Sequence, residues 1–189
     1  MSRPRGRPPK SDDPSTRDRL LQAAADACVE VGFDAVTLAD VAARAGVTPA
    51  AVYNHFADKS ELLYAAGRHA IDGLGASVVP TGDPSRAVHD VVAAFLRPSF
   101  RSSRRLLLEL HLAGSRHPEL GEHLARWHQE FASMAVERSS KDPALAAVDV
   151  NVLFLLLLGC CHLEDLASLG TPPAEVAERI ERLVDALDA

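Results

Sequence analysis

The chain contains two tyrosines, yet Tyr53, His55 and Phe56 fall within four residues, and Lys59 follows three places on. A phenol, an imidazole and an ammonium are groups that donate hydrogen bonds to phosphate oxygens. Asn54, between them, can both donate and accept. Thr48 followed by Pro49 marks a helix N-cap with proline at the first helical position, where a missing N–H costs nothing. On a helix starting there, Val52 and Phe56 share one face, and Tyr53 is turned about 100° from it. Phe56 is therefore expected in a core, with Tyr53, Asn54 and His55 on or beside the outward face. Lys59 would open the next helix, where a phosphate meets its ammonium and free backbone N–H groups. An ordinary exposed helix end is the bland alternative, and His55 also suits a local cap or a core position.

Those side chains need elements to hold them. Thr37 and Asp40 have capping-box spacing ahead of Leu38, Val41, Ala42 and Ala45. Ala45-Gly46-Val47 is too short a link for anything but a sharp turn, and Gly46 suits a turn of unusual φ. Small Ala42 and returning Val52 complete the spacing of a helix-turn-helix, whose second helix runs from Thr48 to about His55 and offers its N-terminal residues to a major groove. Ser15 and Asp18 open an earlier helix with Leu20, Ala24, Ala27 and Val31 on one face, ending near Gly32. Asp58 and Glu61 cap a longer helix to about Val79.

Val36-Thr-Leu-Ala-Asp-Val-Ala-Ala-Arg-Ala-Gly-Val47, Val52-Tyr-Asn-His-Phe56 and Lys59-Ser-Glu-Leu-Leu63 together resemble the TetR family of bacterial transcriptional regulators. The resemblance covers roughly residues 15–66. It implies a homodimer on a palindromic operator, usually a repressor released by a small ligand. Carried over by position, it makes Thr37 and Thr48 helix-start phosphate contacts, turns Pro49, Ala50 and Asn54 toward bases, and gives Tyr53, His55 and Lys59 the DNA backbone. Pro49, Ala50 and Ala51 depart from a hydrogen-bonding reading surface. Base recognition would then rest on thymine methyl contacts, Thr48, Asn54 and DNA shape.

Residues 1–10 carry Arg3, Arg5, Arg7 and Lys10 with no acid. Arg5-Gly6-Arg7-Pro8 resembles the core of an AT-hook, a thin arm whose Arg5 and Arg7 would enter a narrow A·T-rich minor groove; disordered tails share this composition. The net charge is −6, and residues 1–70 are balanced, so the acidic excess lies in residues 71–189.

Beyond residue 80 helical stripes continue. Asp83-Pro84 opens one with Val88, Val91, Val92, Phe95 and Leu96; Arg105–Gly114 forms another; Leu120, Leu124, Trp127, Phe131 and Met134 line a third. Asp142-Pro143 opens a long helix to about Leu169, and Thr171-Pro-Pro opens the last. No stretch alternates as a strand would, so the expectation is an all-α chain of about nine helices. The expected division is a flexible basic arm (1–14), a helix-turn-helix domain (15–57), a connecting helix (58–79) and a ligand-binding and dimerisation domain (80–189).

Residues 150–169 are apolar nearly all round, which requires cover on several sides. Leu153 and Leu156, with Ile180, Leu183, Val184 and Leu187, form the expected dimer interface; a buried central helix in a monomer is the alternative. Two half-sites need two reading heads, which favours the dimer. Phe95, Phe100, Leu107, Leu110, His111, Trp127, Phe131, Leu155, Leu158 and His162 are candidate walls of a ligand chamber, with His111 and His162 as polar handles. Plain core packing explains each of them too. A hydrophobic or amphipathic effector fits such walls.

No nucleophile stands beside a base, no phosphate loop occurs, and His111, His117, His123 and His128 lack metal-ligand spacing; neither an enzyme nor a metal or cofactor is expected. No apolar run reaches the roughly 20 residues that span a bilayer. Three cysteines without ligand spacing favour a reducing, cytoplasmic setting. Adjacent Cys160 and Cys161 sit too close for an easy disulfide, and thiol sensing or simple burial are both open to them. Two other readings share these features: an architectural binder of A·T-rich DNA through its Arg-Gly-Arg arm, and a helical protein–protein adaptor.

Overall fold

The computed structural model describes residues 15–77 and 87–138, and beyond them residues 152, 154–159, 162 and 182. Every bounded element is helical, and no strand occurs among the described residues. The helices are α1 (Thr16–Val31), α2 (Leu38–Ala45), α3 (Pro49–Tyr53), α4 (Lys59–Ser77), α5 (Ala87–Leu96), α6 (Arg101–Gly114) and α7 (Pro118–Arg138), with a 3-10 turn at Pro98–Phe100. Residues 154–159 are also helical. Among the described residues no helix is long and apolar enough to cross a membrane.

The caps expected of the N-terminal helices form. The Ser15 hydroxyl accepts from the Asp18 N–H at 3.1 Å while the Asp18 carboxylate takes the Ser15 N–H at 3.2 Å, a complete capping box. At α2 only half of one forms. Thr37 accepts from the Asp40 N–H at 3.1 Å, but the Asp40 carboxylate takes the Thr37 hydroxyl at 2.6 Å. Asp58 accepts the Glu61 N–H at 2.8 Å, and Glu61 accepts the Ala57 N–H at 2.6 Å, closing the start of α4.

Leu20, Ala24 and Ala27 are buried, but Val31 is 49% exposed. Gly32 turns the chain at φ 81, so the last residue of α1 overshoots the core. Leu21, Ala23 and Cys28 widen the buried face, and Phe33 fills the end. The α6 helix begins at Arg101, four residues earlier than its leucine run suggests, because the 3-10 turn leads directly into it. That brings in Arg104, a charged residue only 1% exposed. Its guanidinium donates to the carbonyls of Phe95 and, at 3.0 Å, Arg97, closing the C-terminal end of α5.

One apolar core joins α1, α2, α4, α6 and α7 through Leu20, Val41, Leu62, Leu63, Leu110 and Leu120. Helix α4 lies close on α6 at Gly67, where a Cβ would meet Leu110 Cδ1 at 2.6 Å. Leu110 is fully buried, so its methyl end would have to shift within a packed core. Gly67→Ala is therefore expected to lower stability by about 1 kcal/mol, overpacking outweighing helix propensity. At Gly73 a Cβ meets nothing within 4 Å. Gly73→Ala should raise stability by up to about 1 kcal/mol. Urea denaturation of both variants checks the pair; equal shifts of one sign would refute the close approach.

Candidate nucleic-acid interface and its link to the body

The turn between α2 and α3 has the required geometry. Gly46 adopts φ 66 and ψ 38, the left-handed region that glycine enters freely. Val47 N–H reaches back to the Ala42 carbonyl at 3.0 Å, which ends α2 and reverses the chain. Thr48 then caps α3, accepting from Ala51 N–H at 3.3 Å. Val52 and Phe56 are buried, locking α3 onto the core, and Tyr53 is 62% exposed. Thr48, Pro49, Ala50, Asn54 and His55 are exposed as well, so this short stretch of chain leaves six of the residues expected to face DNA open to solvent. The helix stops at Tyr53, so Asn54 and His55 stand in the following turn. Arg17, which sequence reasoning passed over, lies over the Phe56 ring at 4.7 Å.

Thr37 and Lys59 are differently placed. Thr37 is exposed, but its hydroxyl hydrogen goes to Asp40. The Lys59 ammonium donates to the carbonyls of Phe33 at 3.0 Å and Asp34 at 3.2 Å, and lies 4.7 Å from the Phe33 ring centre. Two of its three hydrogens are thus spent inside the protein, and holding the α1–α2 loop is the role the geometry gives it. At the start of α4 Asp58 takes the Glu61 N–H, so an anion there would meet the earlier backbone N–H groups and the remaining hydrogen of Lys59.

The same loop is held from the other side. Asp34 accepts from Arg116 at 3.0 Å and pairs with His117 Nε2 at 2.6 Å. The imidazole also packs on Phe33, ring centres 4.7 Å apart. Arg116 and His117 form the turn between α6 and α7, so this cluster joins the helix-turn-helix head to the body. His117 and Arg116 together hold the Asp34 carboxyl below its ordinary range. Nothing local in sequence announces these contacts, which span 82 and 83 residues.

The candidate chamber residues divide. Phe95, Leu107, Leu110 and Trp127 are core; Phe100, His111, Phe131 and Leu158 are half-buried. Leu155, at 72% exposed, and His162 face solvent and do not line a chamber in this chain. The helical turn presents Phe154 inward instead, 4.6 Å from His128 and 5.3 Å from Phe131 between ring centres. His111 and His128 are joined through their Nε2 atoms at 2.9 Å. An open groove of about 350 Å³ lies elsewhere, between α1, α4 and the start of α6, lined by Leu21, Ala25, Ala70, Leu74, Phe100 and Ser103 among others. Phe100 alone of the expected wall residues borders it.

Leu156 is half-buried. Arg5, Arg7, Leu153, Cys160, Cys161, Ile180, Leu183, Val184 and Leu187 lie outside the described residues. Burial pushes the Cys28 thiol up to about 12, so that cysteine is core and not a reactive thiol. No cluster of three potential metal ligands occurs among the described residues.

Comparison with known proteins gives this geometry a context. Residues 20–66 match the family model for bacterial regulatory proteins of the tetR family, and residues 79–187 match the tetracyclin repressor-like C-terminal domain. The HTH-type transcriptional regulator BetI of Brucella suis biovar 1 (strain 1330) is 30% identical over 92 residues, 49% of this chain and 46% of the relative. The chain thus spans about half the length of the curated relatives it matches. A solved TetR-family transcriptional regulator from Rhodococcus sp. superposes with a TM-score of 0.74 at 24% identity, over 92% of this chain and 98% of that one. The multidrug binding protein EbrR, solved with imidazole, superposes with a TM-score of 0.64 at 27% identity, over 93% and 96%.

Two outcomes check the loop cluster. Lys59→Ala should lower stability by about 1–2 kcal/mol in urea denaturation, through two lost charge-assisted hydrogen bonds. Because folding depresses the Asp34 pKa, its contribution is present above the unfolded carboxylate range and is lost as pH falls through the folded value. Asp34→Asn should therefore lower melting temperature near neutrality and leave it nearer wild type in acid; a constant difference at every pH would contradict that placement.

Proposed function

Because this chain belongs to the TetR family of bacterial regulatory proteins, we propose that it is a ligand-responsive transcriptional regulator, a repressor that binds a palindromic operator as a homodimer. The observation that carries this reading is the exposed end of α3. Thr48, Pro49, Ala50, Tyr53, Asn54 and His55 stand outward together on a turn fixed by Gly46. Tyr53 and His55 hold the DNA backbone; Asn54 and the small residues of α3 face bases. The N-terminal Arg5 and Arg7 add a minor-groove arm. Residues 15–57 form the reading head, 58–79 the connecting helix, and 80–189 the ligand-binding and dimerisation body. Leu153, Leu156, Ile180, Leu183, Val184 and Leu187 pair the two chains.

A dimer reads two half-sites only when its heads stand about one helical turn, 34–36 Å, or a multiple apart. A ligand that prefers one arrangement of α4 and α6 shifts that spacing by its differential affinity. Two attachments transmit the shift. The close packing of α4 on α6 at Gly67 is one, and the Asp34–Arg116–His117 cluster is the other. The likeness to a multidrug binding protein supports a small-molecule effector. The regulator acts within the cytoplasm, carries no catalytic site and needs no cofactor.

Selection of random duplex DNA by the purified chain at near-physiological salt tests this reading. Enrichment of an inverted repeat is expected; asymmetric A·T-rich DNA would replace the regulator with an architectural binder, and no enrichment with an adaptor. On the selected duplex, Tyr53→Ala should weaken binding about tenfold across sequences, with dimerisation unchanged in sedimentation. Full affinity in that variant would remove Tyr53 from the interface.

A further inference from the structure

The His111–His128 pair has a hydrogen-bond logic that leaves one atom over. His111 Nδ1 lies 2.6 Å from the Leu107 carbonyl oxygen, one turn back on α6. A carbonyl only accepts, so that nitrogen carries the hydrogen, and in the neutral ring Nε2 is a lone pair. His128 Nε2, 2.9 Å away, must then donate to it. The ring planes differ by 19° and the ring centres are 5.0 Å apart. That separation is close to the N···N distance plus the two ring radii, so the rings meet end to end and not face to face. The nitrogens aim at one another, with a hydrogen and not a shared metal between them. Three of the four ring nitrogens are thereby used. The fourth, His128 Nδ1, has no hydrogen-bond partner among the described residues.

The setting of that atom is aromatic. Phe154 lies 4.6 Å and Trp127 5.9 Å from the His128 ring, and Phe131 packs on Phe154. His128 is only half-buried. Burial pulls both imidazoles below the ordinary range, with the charge of His111 adding to the effect on His128. Among the described residues the groups that could compete are few. From α6 the facing titratable group is His111. On α7, Glu130 is held by Arg68 of α4 at 3.0 Å, and His123 stacks on Tyr64 of α4. The described residues 154–159 contribute none.

We propose that His128 Nδ1 is the recognition point of the effector site, and that the effector is a hydrophobic carboxylic acid bound together with one proton. This rests on the ligand-responsive reading above. The carboxylate takes the Nδ1–H of a His128 imidazolium, and the hydrocarbon part lies on Phe131 and Phe154. His111 makes this arrangement stable. It is fixed by Leu107 as an acceptor, so the second N–H of the imidazolium is already satisfied when the ring becomes charged. An alcohol would gain one ordinary hydrogen bond here. Among the described residues Glu130, the carboxylate two places on along α7, is already paired with Arg68, which disfavours an ammonium. An acid gains two charge-assisted bonds from a single proton. The proton comes from solution, and no heavy-atom bond changes. His111 stands on the same helix as the end that leads to Arg116 and His117, so occupation of the site bears on the grip on Asp34.

Calorimetry on the full chain tests this with phenylacetic and decanoic acids and the alcohols and amines of the same skeletons. Between about pH 7 and about pH 9 the free acids are ionised and a free imidazole is mostly neutral. Binding of an acid should take up one proton, and its affinity should fall about tenfold per pH unit. Alcohols should bind at least tenfold more weakly, without that slope. His128→Gln should abolish the slope while still binding operator DNA, and ¹⁵N-histidine spectra of the wild type should show His128 changing from neutral to imidazolium when the acid is added. Equal binding of acid and alcohol, no proton uptake, or no binding by either acid would overturn the proposal. If another small molecule then released operator DNA, the regulator reading would stand without it; if no operator were found while acids bound, the regulator reading would fall and the acid site would stand.

Discussion

Two carbonyls at the end of α1 organise the joint between head and body. Gly32 turns the chain, and the carbonyls of Phe33 and Asp34 have no helix to bond within. A polar backbone group left without a partner is costly. Lys59 supplies it, and by doing so ties the first residue of α4 to the end of α1. Asp34, held by its carbonyl on one side, offers its carboxylate to Arg116 and His117 on the other. The loop is consequently gripped by both the connecting helix and the α6–α7 turn. A head attached through one flexible link would not report the state of the body; a head attached at two points can.

That arrangement changes the meaning of the lysine. In the sequence, Lys59 stands near Tyr53 and His55 and shares their chemistry, so a DNA contact is the natural reading. In the fold, its length carries it to carbonyls 25 and 26 residues earlier in the chain. The two ideas are not equivalent energetically. A solvated surface ammonium gives up water to bind a phosphate, whereas this one already has fixed acceptors and an aromatic face.

Local signals explain which parts of the fold were legible. Caps, a left-handed glycine and a proline at the first helical position each act within four residues, so α1 to α4 and the inward turn of Phe56 follow from the chain itself. The exposed placement of Tyr53 follows from helical phase, whereas Thr48 is exposed as the cap of α3 and His55 in the turn that follows it. What was not legible depends on long range or on helix ends. Val31 looked like core until the helix stopped at it, and α6 started early because a 3-10 turn adjoined it. Leu155 fitted an apolar stripe, but the turn presents Phe154 inward. The Asp34 cluster and the His111–His128 pair carry no spacing signal, since residues 17 or 83 apart meet only through the packing of helices.

Native-state hydrogen exchange on the Arg116→Ala, His117→Ala double variant is the most direct measurement of whether the body bears on the head through this loop. Removing both partners should accelerate exchange beyond the α6–α7 turn, in the loop after α1 and on through α2 and α3, because that loop leads directly into α2. Faster exchange confined to the α6–α7 turn, with the amides of α2 and α3 protected as in the wild type, would contradict it.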